Sequence, residues 1–219
     1  MDSEINSFIE ILASVQASAS FFNQYSHEVS VNCVRRKNLF LYLQQMANLQ
    51  PQILLVGEAP GYRGCRLTGV PFTSEFILLE GLEQLGLFGE SRGYGKTEEF
   101  RKTMREASAS IVWKTLVTTP RLPLIWNAFP FHPFQAENEQ SNRKPTRNEL
   151  TIGKEFLQEL IQLFDIKTVI AVGNTADATL NVMGITCEKV RHPSYGGKTL
   201  FIKGIKAVMN PRREDVHRC

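Results

Sequence analysis

No C-x-x-C pair occurs among the four cysteines, which stand far apart at Cys33, Cys65, Cys187 and Cys219. A disulfide framework is not expected from that spacing. The four histidines, His27, His132, His192 and His217, lack ligand-like spacing, so no metal is expected. No apolar run approaches the roughly 18 residues of a membrane span. The first residues lack the basic region, apolar core and cleavage site of a signal peptide. These absences predict an intracellular chain with reduced thiols and no membrane partner, cytoplasmic or, in a eukaryote, nuclear. Internal repeats and low-complexity tracts are also missing.

What is present is an ordinary globular composition. An apolar share of 42% over 219 residues is enough for one sizeable core. One domain is expected over residues 1–219, with a helical portion over 1–50. The net charge of +3 permits a phosphate-bearing partner without requiring one. Three local basic clusters stand out: Arg35-Arg36-Lys37, Arg143-Lys144 with Arg147, and Arg212-Arg213. Each reads either as solvated surface or as a phosphate contact.

Apolar periodicity predicts helices over 1–22, 38–49, 73–85, 98–118 and 147–164. Short apolar runs bounded by Gly or Pro predict strands over 52–56, 122–127, 168–172 and 186–190. Loops are expected over 89–97 and 128–140. Gly173-Asn174-Thr175 turns the third strand into a helix ending near Met183. Residues 200–209 read as a helix, although their β-branched content leaves room for a strand. Strands alternating with helices imply an α/β fold, a three-layer α/β/α arrangement around a mainly parallel four-stranded sheet. In such sheets functional groups gather beyond the carboxyl ends of the strands. The Gly57 turn, Asn127, Gly173 and His192 all fall there.

The stretch Leu54-Leu55-Val56-Gly57-Glu58-Ala59-Pro60-Gly61 carries a strand into a glycine-proline turn. Gly57 and Gly61 allow close backbone approach to a ligand, and Pro60 stiffens the turn. Glu58 puts a carboxylate at the strand end, able to orient a water or to stabilise positive charge. A phosphate-cradling turn is a weaker reading, because the nucleotide-binding glycine patterns are absent and an acid sits at the centre. A purely structural turn remains open. Downstream, Arg191-His192-Pro193-Ser194-Tyr195-Gly196 forms a second strand-end turn with one histidine.

The two turns resemble the signature motifs of the uracil-DNA glycosylase superfamily, nearest the branch whose first motif reads GEAPG. Pro71-Phe72, Asn127 and His192-Pro193-Ser194 are similar to three further pieces of that pattern, in order, over residues 52–200. The resemblance implies excision of uracil or a related deaminated base from DNA, by a monomer without a cofactor. A flipped base would rest among Gly57, Ala59, Gly61, Phe72 and Asn127, with Phe72 as stacking face and Asn127 reading the base edge. His192 would donate to O2 as negative charge develops there. Glu58 is the one carboxylate of the first motif and would hold the water. Arg191, Ser194, Tyr195 and Lys198 would contact DNA, Tyr195 as a wedge. Where iron–sulfur members of this branch pair their cysteines, this chain does not, so no cluster is expected. A non-catalytic DNA binder and a nucleoside or nucleotide hydrolase on the same sheet stay open as alternatives.

Overall fold

Apolar runs flanked by glycine and proline become the centre of the molecule. The computed structural model describes residues 1–209; the Arg212-Arg213 pair, His217 and Cys219 lie outside them. In chain order the elements are α1 (Asp2–Ser14), β1 (Phe21–Phe22), α2 (Asn32–Leu49), β2 (Ile53–Gly57), α3 (Cys65–Thr68), α4 (Glu75–Glu80), α5 (Ala107–Leu116), β3 (Leu124–Asn127), β4 (His132–Pro133), α6 (Arg147–Leu163), β5 (Thr168–Val172), α7 (Asn174–Val182), β6 (Glu188–Val190) and α8 (Lys198–Met209). The main sheet runs β3-β2-β5-β6, with every pair parallel. Leu55 sits opposite Ile125 on one side and Ile170 on the other. Residues pointing to both faces of β2 and β3 are buried, as helices covering both faces require. No helix among the described residues is long and apolar enough to cross a membrane.

Aromatic rings fill the layer over β3. Phe8 of α1 meets Trp126 edge-on at 5.4 Å and Phe156 of α6 at 5.9 Å. Phe21, Phe129 and Phe131 extend that cluster with edge-on and stacked contacts. Such pairs contribute about 0.5–1.5 kcal/mol beyond their buried area. They fix β3, and so fix where Asn127 leaves the sheet.

Several expected boundaries moved, each for a tertiary reason. The first helix stops at Ser14, well short of residue 22. Asn23 donates from its side-chain amide to the carbonyls of Leu12 and Val15 at 2.9 and 2.7 Å, closing the end of α1. Phe21–Phe22 then pairs antiparallel with His132–Pro133, inside the segment expected to be a plain loop. Helix α2 begins at Asn32, a turn and a half earlier than residue 38. The 73–85 helix breaks at Gly81, whose backbone leaves helical space at φ 80, ψ 173. Residues 200–209 are helical, within α8.

The expected helix over 98–118 survives only as α5. Residues before it are drawn into a buried ion network. Arg35 of α2 is fully buried and bonds to the Glu99 carboxylate, to Asn32 and to the carbonyl of Leu67. Arg66 holds the other Glu99 oxygen at 2.7 Å. The cluster at 35–37 is therefore no uniform basic surface: Arg35 points inward, and Arg36 donates to the carbonyls of Tyr25 and Ser26.

Removing one partner from a buried pair leaves a desolvated charge behind. Arg35→Met should lower stability by about 3 kcal/mol, seen as a lower urea midpoint at unchanged slope. A loss under about 1 kcal/mol would show that Arg66 alone holds Glu99.

Candidate active site

The first-motif turn is held from outside by the chain that leaves β3. The carbonyls of Gly57 and Glu58 accept from the amides of Ala128 and Phe129 at 2.8 and 3.0 Å. The Pro60 carbonyl lies 2.7 Å from Nδ1 of buried His132, and the Tyr62 amide donates to Asn142 Oδ1 at 3.0 Å. Four contacts over the six residues from Gly57 to Tyr62 leave the turn little freedom. It forms one wall of a cleft of about 470 Å³ at the carboxyl ends of the strands.

Gly57 lies directly beneath the Phe72 ring. A Cβ added there would stand 2.3 Å from Phe72 Cε2 and 2.7 Å from Asn127 Oδ1, closer than any real contact. The missing side chain thus lets ring and amide converge. Phe72 itself has φ 50, a left-handed conformation that a bulky residue rarely adopts. Trp113 donates from Nε1 to the Phe72 carbonyl at 2.9 Å and helps hold that backbone. Asn127 is only 3% exposed, yet it lines the cleft.

His192 follows β6 and faces the Phe72 ring, with 6.1 Å between ring centroids. The Ser194 backbone amide donates to His192 Nδ1 at 3.1 Å, and the Ser194 hydroxyl lies 2.7 Å from the same nitrogen. An N–H cannot accept, so Nδ1 must be the acceptor, and the proton of the neutral ring sits on Nε2. Burial, reinforced by the nearby Arg191 charge, lowers the His192 pKa to about 4. The ring is neutral at pH 7 and has one N–H to offer.

Glu58 accepts a hydrogen bond from the Thr175 hydroxyl at the start of α7. Ala59, Gly61, Arg191, Ser194 and Tyr195 also line the cleft. A Cβ at Gly61 would meet only Asn142 Oδ1, at 3.8 Å, so that side of the cleft is roomy. Tyr195 stands 97% exposed at φ 49, followed by Gly196 at φ 74. Gly57 lies behind the lining rather than in it. Lys198 is elsewhere, on a groove between α5 and α8.

The cleft also contains groups that the motifs did not point to. Asn142, Lys144 and Thr175 line it, as does Glu106 at the N-terminus of α5. Buried Cys65 lines it too, its thiol pushed up to about 12 by burial and so unreactive as a thiolate. Glu106 Oε2 would lie 2.8 Å from a Cβ at Gly64, so that glycine makes room for the carboxylate. Burial raises Glu106 to about 6, although the Ser108 hydroxyl and the Ser108 and Ala109 amides pull the other way. A cap position five residues before the run Ile111-Val112-Trp113 was the available signal, and it was hidden by the longer helix expected there. Among the described residues no group of three or more His, Cys, Asp or Glu is placed to hold a metal ion.

The raised Glu106 pKa has a signed consequence. The folded state holds this proton more tightly than the unfolded chain, so its stabilising effect is complete below pH 4.5 and is lost as pH rises to about 6. The loss is about 2 kcal/mol. Glu106→Gln cannot ionise, so its stability relative to the parent should improve by about that amount between pH 4.5 and 7 in urea titrations. A difference that stays flat with pH would place the carboxyl in ordinary solvent.

The same pattern of turns is recognisable in other proteins. A search of curated proteins finds no match to this chain. Among solved structures, wild-type SMUG2 from Pedobacter heparinus superposes with a TM-score of 0.65 at 13% identity, covering 94% of this chain and 97% of that one. At that identity the likeness speaks for the fold. The family profile described as the uracil DNA glycosylase superfamily matches residues 44–211, from the end of α2 past the end of α8 and through both motif turns. The chain belongs to the uracil DNA glycosylase superfamily.

Proposed function

We propose that this chain is a single-domain, monomeric DNA glycosylase that hydrolyses the N-glycosidic bond of uracil or a related deaminated base. The observation that carries this reading is the tautomer of His192: a neutral ring with its one N–H on Nε2, beside the aromatic face of Phe72. A leaving pyrimidine needs both a face to stack on and a donor at O2.

The flipped base stacks on Phe72, worth roughly 1–3 kcal/mol. Asn127 offers a donor and an acceptor on one plane, matching the O4 and N3–H edge of uracil. Cytosine presents the opposite polarity at those two atoms, so discrimination requires the amide to keep one orientation. As the C1′–N1 bond breaks, the bonding pair stays with the base and spreads towards O2, where His192 Nε2–H meets it. A neutral donor binds the uncharged ground-state carbonyl only weakly, so its bond strengthens chiefly as charge develops. The sugar left behind is oxocarbenium-like. Glu58, oriented by Thr175, holds the water that adds to C1′ and stabilises the positive charge. The products are free base and an abasic site. Ala59 and Gly61 line the base pocket, and the space beside Gly61 accommodates bases with substituents beyond those of uracil. Arg191 and Ser194 lie where phosphates pass, and exposed Tyr195 is a wedge for the vacated stack.

His192→Ala should slow single-turnover cleavage of a uracil-containing oligonucleotide by about 10²–10³-fold, with DNA affinity nearly unchanged. Alkali-induced strand scission reads the abasic product. A slowing under threefold would remove His192 from the chemistry. Salt-dependent DNA binding by the parent protein with no base release would identify a non-catalytic binder, and release from free nucleosides alone a nucleoside hydrolase.

Gly57→Ala tests the pocket itself. The new methyl must displace the Phe72 ring or the Asn127 amide, and misplacement of about 1 Å costs on the order of 10²-fold. A loss of that size in kcat/KM, with the circular dichroism spectrum retained, is expected. Full activity would mean that ring and amide do not act together.

A further inference from the structure

A second depression lies outside the cleft, between α5 and α8. Its floor is Ile111 and Ile202, and Lys114, Lys198 and Lys206 stand around it. The two helices that build it carry four lysines and no acidic residue. All three groove lysines are exposed, and none forms an ion pair with another described residue. The groove lies next to the cleft along the chain of both helices, although the two share no lining residue. Helix α5 starts at the cleft wall beside Glu106 and reaches the groove one turn later at Ile111. Helix α8 starts two residues after exposed Gly196, at the end of the turn that carries His192 and Tyr195. Eight residues separate Lys198 from Lys206, about 12 Å along the helix. That length matches three to four nucleotides of one DNA strand, at about 3.4 Å each.

We propose that this groove is a phosphate track, on which Lys114, Lys198 and Lys206 hold the DNA backbone where it leaves the cleft. The proposal rests on the glycosylase reading for its ligand and adds a binding surface that the motif turns do not contain. The occupant is identified by charge: unpaired lysines on two helices without acidic residues, next to the proposed base-binding cleft, suit a polyanion. The apolar floor accommodates the sugar edges between phosphates. The hydroxyls nearby are already used, since Thr115 donates to the Ile111 carbonyl and Ser110 to that of Glu106. The ammonium groups are therefore the donors available to a phosphate, and binding through them is set by counterion release.

The test is the salt dependence of DNA affinity for the double variant Lys114→Gln/Lys206→Gln, using a duplex with one central uracil. Each lost phosphate contact flattens the plot of log affinity against log salt by about 0.9. The double variant should flatten it by roughly 2, so that its affinity deficit is about tenfold larger at 50 mM salt than at 200 mM. Single-turnover cleavage at saturating DNA should stay at the parent rate. Arg121→Gln/Lys167→Gln removes two charges at the opposite ends of β3 and β5 and should leave the slope alone. An unchanged slope in the groove variant, or an equal change in the control, overturns the track. If the parent protein shows no salt-dependent DNA affinity at all, the glycosylase reading fails first, and the two failures are told apart.

Discussion

One absent methyl organises the cleft. At Gly57 the backbone passes so close beneath the Phe72 ring and beside the Asn127 amide that no side chain fits between them. The ring comes from the chain between α3 and α4, and the amide from the end of β3. They meet because β2 and β3 are adjacent and in register, with Gly57 paired to Asn127. Parallel pairing places both residues at the same level of the sheet. The aromatic cluster under β3 keeps that level fixed. Ring and amide thus share a single support.

Electrostatics complete what packing begins. A histidine in water near neutral pH exists as a mixture of tautomers and charge states. Burial removes the charged state of His192, and the Ser194 amide removes one neutral tautomer. Both influences come from within the His-Pro-Ser turn and its neighbours, so a three-residue motif specifies the protonation as well as the position of the ring. Gly197 tightens the same turn, since a Cβ there would sit 2.0 Å from the His192 carbonyl oxygen.

The sheet was legible in the sequence because strands buried on both faces leave continuous apolar runs, and all four were located to within about two residues. Gly57, Glu58, Asn127 and His192 were legible because they sit at or just beyond strand ends, whereas Phe72, between α3 and α4, was reached only through the motif. What could not be read depends on partners distant in the chain. The stop of α1 is set by Asn23, and the irregular path through 98–106 by Arg35 and Arg66. Helical periodicity reports neither. Glu106 was missed for the same reason, because its place at a helix start appears only once the preceding residues are pulled out of the helix. Lys198 was expected to contact DNA from beside His192, and α8 sets it on the groove next to the cleft rather than in the cleft itself.

Two residues beside the cleft have left-handed backbones without being glycine, and the difference between them is instructive. Such conformations cost on the order of 1–3 kcal/mol and persist where the surroundings enforce them. Phe72 is enforced by the core: its ring is nearly buried on Gly57, and its carbonyl is bonded by Trp113. Its pose is set before any ligand arrives, as a stacking platform needs. Tyr195 is enforced only by the short turn it belongs to, and its ring touches solvent over 97% of its surface. No burial of the side chain offsets the backbone cost at Tyr195. The buried aromatic is the one inside the pocket, and the exposed one stands at its mouth, where the proposed wedge would have to be.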